Sequence, residues 1–192
     1  MAYTIEKTIL FEKLEWGETQ VLQLETKDLI IKKAEQKDWY DMYHNLWKHA
    51  ESARHMLWNV SRSEEDAPAR MERTIAYQTK NKFQWLVYEK KSGQAIGFVG
   101  IEKLEENVYG ETGIAIGPAF TGKGYGKQIL NALVEYAQKE LGAKRFMACC
   151  RTANVVSHNL QMSCGFQFSH YQDCVDPRNG EGYTLEYNFK EL

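Results

Sequence analysis

Apolar residues recur along this chain with two periods, and the changes of period mark strands and helices. Thr8-Ile9-Leu10-Phe11 and Gln20-Val21-Leu22-Gln23-Leu24 are strand-like around the turn-like Trp16-Gly17-Glu18, which predicts a hairpin added to a sheet edge. Leu29-Ile30-Ile31-Lys32 reads as a further strand. Asp38 is a candidate N-cap for a helix on which Trp39, Met42, Tyr43, Leu46 and Trp47 recur at helical spacing. Ser63-Glu64-Glu65-Asp66 comes close to a capping box and starts a helix through Met71, Ile75 and Tyr77 to about Lys80. Phe83–Glu89, Ala95–Ile101 and Tyr109–Ile116, separated by the turns Lys91-Ser92-Gly93 and Glu105-Glu106-Asn107, predict an antiparallel meander.

The clearest helix follows. Ile129, Leu130, Leu133, Val134, Ala137 and Leu141 form a one-sided stripe, and Gly142 stands where a C′ glycine belongs. The apolar run Lys144–Cys150 predicts a strand parallel to the one before that helix, because a strand-helix-strand crossover returns in the same direction. A short helix over Val156–Ser163 and strands near Phe166–Tyr171 and Tyr183–Phe189 finish the chain. The fold class is α/β with a mixed sheet. The core domain is expected over residues 24–192, with residues 1–23 an extension.

Composition narrows the possibilities. The chain has 192 residues, 43% of them hydrophobic, which is enough for a core. Lys plus Arg number 24 against 26 Asp plus Glu, so no global field exists to hold a nucleic-acid backbone. No apolar stretch is long enough to span a membrane, and the start Met1-Ala2-Tyr3-Thr4-Ile5-Glu6-Lys7 does not read as a signal peptide. A cytoplasmic location is expected. Cys149, Cys150, Cys164 and Cys174 read as reduced core thiols, since neighbours such as Cys149 and Cys150 point to opposite faces of a strand. His44, His49, His55, His158 and His170 show no metal-ligand spacing, and no metal is expected.

The chemistry concentrates in Ile114-Ala115-Ile116-Gly117-Pro118-Ala119-Phe120-Thr121-Gly122-Lys123-Gly124-Tyr125-Gly126-Lys127, which joins a strand to the amphipathic helix. Glycines at 122, 124 and 126 let the backbone turn tightly beside a ligand. The unpaired amides at the helix start then form an anion site suited to a phosphate or pyrophosphate, with Lys123 and Lys127 adding charge at its rim. A nucleotide-triphosphatase loop is disfavoured, because Gly124 stands where Ser or Thr would hold magnesium.

This segment resembles the coenzyme A pyrophosphate loop of the GNAT acetyltransferase superfamily, R/Q-x-x-G-x-G/A, with Thr121-Gly122-Lys123-Gly124-Tyr125-Gly126 in its place and Pro118 ahead of it. Thr121 departs from the usual Arg or Gln. Asn154-Val155-Val156-Ser157 followed by Cys164-Gly165-Phe166 resembles the family's N-x-x-S/A and G-F signature. Leu24-Glu25-Thr26-Lys27-Asp28-Leu29 resembles the opening of the branch that includes the ribosomal-protein N-terminal acetyltransferases RimJ and RimL. Tyr109-Gly110-Glu111-Thr112-Gly113-Ile114 resembles that branch's A-E-I-G strand with one residue inserted after the glutamate.

The resemblance implies a mostly antiparallel sheet with two splayed parallel strands at the coenzyme site and helices on both faces. It implies acetyl transfer from acetyl-CoA to an amine. The backbones of Ile114 and Ile116 would meet the pantetheine arm and the thioester. Glu111 is the general-base candidate, its alternative being a solvated strand-end carboxylate. Ser157 would protonate the CoA sulfur and Asn154 would bind the pantetheine arm; helix capping is the competing account of both. Many family members carry a tyrosine acid four residues after Ser157, and Gln161 stands there. Met56 and Trp58 are the candidates for the acceptor groove. The branch implies a protein or peptide N-terminus as acceptor. A small amine such as a polyamine or antibiotic, and a non-catalytic CoA-binding module, are the alternatives. The oligomeric state is open, a homodimer among the options.

Overall fold

The computed structural model describes residues 9–13 and 19–192. Thr8 and the turn expected at Trp16-Gly17-Glu18 lie outside the described residues. The strands are β1 (Ile9–Lys13), β2 (Thr19–Glu25), β3 (Leu29–Lys32), β4 (Gln84–Glu89), β5 (Ala95–Glu105), β6 (Val108–Ile116), β7 (Arg145–Arg151), β8 (Gln167–Val175) and β9 (Gly182–Glu191). They form one sheet in the order β1-β2-β3-β4-β5-β6-β7-β9-β8. All neighbours run antiparallel except β6 and β7, which are parallel and joined through helix α4 (Tyr125–Glu140). β1 and β2 pair as an antiparallel edge hairpin, and β2 continues through residue 23 onto β3.

Alternation along β4 explains the two layers. Trp85 and Val87 join the core beneath α4, where Trp85 meets Tyr136 edge-on at 5.8 Å. Leu86 and Tyr88 point to the opposite face, into a second core with Met42, Leu46 and Met71. That core is covered by α1 (Trp39–Met42), the turn over Tyr43–Trp47 and α3 (Ala67–Lys80); α2 (Ala50–Ala53) lies between them in the chain. Helices therefore lie on both faces. Among the described residues, no helix is long and apolar enough to cross a membrane.

Several local expectations change. Asp38 is the N-cap residue of α1, but its side chain makes no capping hydrogen bond there. The helical run begins as a 3-10 turn after Glu35, and the Asp38 carboxylate reaches back to accept from the Glu35 N–H at 2.7 Å. The run then ends in a π turn over Tyr43–Trp47. α3 starts at Ala67, three residues beyond the capping-box reading, because Pro68 fits only the first turn of a helix. On α3 Tyr77 is exposed, whereas Gln78 is buried and accepts from the Ala34 N–H. β5 runs past Ile101 to Glu105, since its last rungs pair in an exposed hairpin with β6 where no core enforces alternation.

Asp38 is a buried carboxylate that also accepts from the Tyr88 hydroxyl, tying β4 to the helical layer. Asp38→Ala orphans both donors and is expected to lower stability by about 2–4 kcal/mol, read by urea unfolding.

Candidate active site

The site begins where two strands part. β6 and β7 share only the pairs Val108–Arg145, Tyr109–Phe146 and Gly110–Met147. Beyond them the strands diverge into a cleft of about 690 Å³. At the point of divergence the Cys149 N–H finds no backbone partner on β6. It donates instead to Glu111 Oε1 at 3.3 Å. Glu111 stands in the fork as a wedge.

The residue inserted after Glu111 is absorbed as a β-bulge. Ile101 pairs with Glu111 and Gly100 with Gly113, which leaves Thr112 as the extra residue. Gly113 takes φ +134°, a conformation that favours glycine, and Met56 packs close against it. Downstream, the Gly117 N–H donates to the Ile96 carbonyl on β5. Strand alternation then turns the N–H and C=O groups of Ile114 and Ile116 toward the open side, where β7 has moved away.

Glu111 is half-buried as a residue, but its Oε2 is shielded from solvent and has no hydrogen-bond partner among the described residues. Burial pushes its carboxyl up to about 7, against the lowering effect of N–H donors from Cys149 and Gly113. A carboxyl with that value is poised to take a proton near neutral pH.

The glycine loop closes the far end of the cleft. Gly122 and Gly124 have φ of +75° and +78°, with open space where a side chain would project. Gly124 precedes the first turn of α4. Thr121, Gly122, Gly124, Tyr125, Gly126 and Lys127 line the cleft. Lys123 departs from the expectation: it does not line the cleft. Its Nζ pairs with Glu89 Oε1 at 3.2 Å and lies over the Phe120 ring. The Tyr125 hydroxyl donates to the same oxygen at 2.6 Å. Glu89, at the end of β4, thus anchors the loop from behind, and Lys123 serves that anchor rather than the rim. Thr121 bonds within the turn, donating to the Pro118 carbonyl at 2.9 Å.

α5 (Val155–Ser163) forms the third wall. Asn154 caps it, its Oδ1 accepting from the Ser157 N–H at 3.2 Å, while Asn154 and Ser157 both line the cleft. Gln161 is buried and donates to Ser157 Oγ at 3.3 Å. Its carbonyl accepts from Asn188, which also donates to Glu186, and Glu186 meets His158. Ser157 Oγ thus accepts from Gln161 and in turn faces the Cys150 thiol. The opposing wall carries His55, Met56 and Leu57. Trp58 lines an adjoining cavity instead, because the chain passes from one to the other at residue 58. Cys149 and Cys150 also reach the cleft, but burial holds their thiols up at about 12 and about 11, which makes them poor nucleophiles. Among the described residues no cluster suits a metal ion.

Residues 28–167 match the family model described as an acetyltransferase (GNAT) domain. The chain belongs to the GNAT acetyltransferase family. It is 26% identical over 168 residues to the uncharacterized N-acetyltransferase YnaD of Bacillus subtilis, covering 86% of this chain and 95% of that one. The GNAT-family acetyltransferase structure from Bacillus anthracis superposes with a TM-score of 0.74 at 21% identity, over 88% of this chain and 98% of that chain. RimL, the ribosomal L7/L12 alpha-N-protein acetyltransferase in complex with coenzyme A, superposes with a TM-score of 0.71 at 17% identity, over 87% and 96%. As a GNAT member the chain is an acyltransferase, and the mixed sheet with its single parallel pair is the family's fold.

Glu89 carries no signal of a supporting role in the sequence, because its partner Lys123 lies 34 positions away. Gln161 stands one helical turn after Ser157, but the Asn188 that fixes it lies 27 positions away.

Glu111 yields a pH-dependent prediction. Folded, its carboxyl keeps its proton up to about 7; unfolded, it loses it near 4.5. Ionisation therefore costs the fold stability progressively as pH rises from 4.5 to 7, and fully above 7. Glu111→Gln removes that cost, so the variant is expected to be more stable than the parent at pH 8, by up to about 3 kcal/mol, with the gain vanishing below pH 4.5. Chemical unfolding at the two pH values measures it.

Gly124→Asp sets a carboxylate at the start of α4, where there is open space for the side chain and φ +78° costs an L-residue about 1–2 kcal/mol. The fold is expected to survive, by circular dichroism, while calorimetry detects no CoA binding.

Proposed function

We propose that the protein transfers acetyl from acetyl-CoA to the α-amino group of a protein or peptide N-terminus. The observation that carries this reading is the shielded carboxyl of Glu111, raised to about 7 in the cleft that the glycine loop closes. An α-ammonium, near ~8, holds its proton only slightly more tightly than such a carboxyl, while a lysine near ~10.4 holds it far more tightly. Proton transfer to Glu111 is therefore less uphill from an α-ammonium than from lysine. The branch-like opening around Leu24–Leu29 supports the same acceptor.

The open amides of Gly122–Gly126 would hold the pyrophosphate of the donor. The free edge of β6 at Ile114 and Ile116 would align the pantetheine arm like an added strand and give an N–H to the carbonyl oxygen. Glu111 takes a proton from the ammonium, directly or through water. The freed amine attacks the thioester carbonyl. The tetrahedral adduct expels CoA thiolate, and Ser157 Oγ gives the thiolate a proton. The proton shed by the adduct's nitrogen restores the serine hydroxyl through water, and Glu111 returns its proton to solvent. Asn154, besides capping α5, would meet the pantetheine arm.

The test is free-thiol release from acetyl-CoA across N-terminal peptides, the same peptides blocked at the N-terminus but bearing lysine, and polyamines. N-terminal peptides are expected to lead by at least tenfold in kcat/KM. A lead for polyamines or lysine would replace this acceptor, and CoA binding with no turnover on any amine would remove the enzymatic reading. In the same assay Glu111→Gln is expected to lower turnover at pH 7 by on the order of 100-fold, with partial recovery as pH rises and free amine accumulates. An unchanged pH profile removes Glu111 as the base.

A further inference from the structure

A second cavity, about 750 Å³, adjoins the cleft. Tyr77 and Thr112 line both, so the two meet beside Glu111. The second cavity lies between α3, the segment after Leu57 and the face of β4 and β5 that carries Leu86 and Phe98. Its charged residues are Arg62, Arg70 and Arg73 against one carboxylate, Asp66.

Arg70 is the unusual one. Its guanidinium lies over two indoles, 4.6 Å from the Trp47 ring centroid and 5.0 Å from that of Trp58. Nη1 donates to the Asn59 carbonyl at 2.9 Å and to Ser61 Oγ at 2.8 Å. Nε and Nη2, one straight edge of the fork, make no hydrogen bond among the described residues. No carboxylate there lies within ion-pair distance of Arg70 either. Arg151 and Arg178, by contrast, share the carboxylate of Asp176. Burial lowers the Arg70 guanidinium to about 10, which still leaves it charged at neutral pH.

A partly desolvated cation without a counter-ion is costly to keep. Two parallel N–H donors on a planar fork match the two oxygens of a carboxylate. The tryptophans hold the fork in place and offer apolar surface to the rest of a ligand. We propose that this cavity is the acceptor subsite, and that Arg70 binds a carboxylate carried by the amine acceptor. The proposal rests on acetyl transfer at Glu111 and adds a selection rule to it: among amines of similar basicity, the one bearing a carboxylate is preferred. That carboxylate belongs to a free amino acid or to an acidic side chain near a peptide's N-terminus.

Matched pairs test this. Ala-Glu-Ala-amide is compared with Ala-Gln-Ala-amide, and phenylalanine with phenylalaninamide, by kcat/KM for thiol release and by quenching of intrinsic tryptophan fluorescence. At least one pair is expected to favour the carboxylate by tenfold or more. A preference confined to the first pair identifies an acidic side chain, and one confined to the second a free amino acid. Arg70→Gln is expected to erase the preference by raising acceptor KM, with KM for acetyl-CoA unchanged. Arg70→Lys, which keeps the charge but loses the fork, is expected to retain only part of it. Equal use of both members of each pair, or a preference that survives in Arg70→Gln or in full in Arg70→Lys, overturns the proposal. Should no amine turn over, acetyl transfer fails, and fluorescence still decides the subsite. Selective quenching by a carboxylate-bearing member that Arg70→Gln abolishes supports it, and equal quenching overturns it.

Discussion

Everything at this site depends on the early end of one hydrogen-bonded ladder. After Gly110 and Met147, β6 and β7 cease to pair, and a parallel sheet that would otherwise be continuous opens into a cleft. An unpaired strand edge inside a protein is costly unless its N–H and C=O groups find partners. Here the cost is partly met by Glu111, whose side chain accepts the Cys149 N–H, and is otherwise left at Ile114 and Ile116. The fork exposes backbone donors and shields a carboxylate in the same place.

The shielding follows from the bulge. Without the extra residue at Thr112, the pairing of Gly100 with Gly113 and of Ile101 with Glu111 could not both hold. A shift of one residue reverses which side chains face the gap. The electrostatic character of Glu111 is therefore a property of strand register as much as of its own surroundings.

Those parts of the fold with short-range signals were legible in the sequence. The stripe from Ile129 to Leu141 predicts α4, Gly142 its end, and the crossover the direction of β7. The glycine run predicts the loop because a left-handed backbone leaves a compositional mark. What remained hidden depends on long-range pairing. Nothing adjacent to Lys123 announces Glu89, and nothing adjacent to Ser157 announces that Gln161 will be fixed by Asn188. Met56 and Trp58 read alike as apolar groove residues, yet the turn between them sends one to the cleft and the other to the neighbouring cavity. Chain position alone gives Asp38 a capping role, and only the tertiary contact with Tyr88 shows why an acid is buried there.

Gly126 has one more consequence. A Cβ at that position would sit 3.0 Å from a methyl of Leu160, so α4 and α5 approach this closely here through the absence of a side chain. Leu160 lies one turn along from Ser157, and Gly126 lies in the first turn of α4. The span between the loop amides and the serine hydroxyl is thus gauged by a van der Waals contact between two rigid rods. The molecule carries a ruler between its anion-binding amides and its proton donor, and a single methyl group would reset its length.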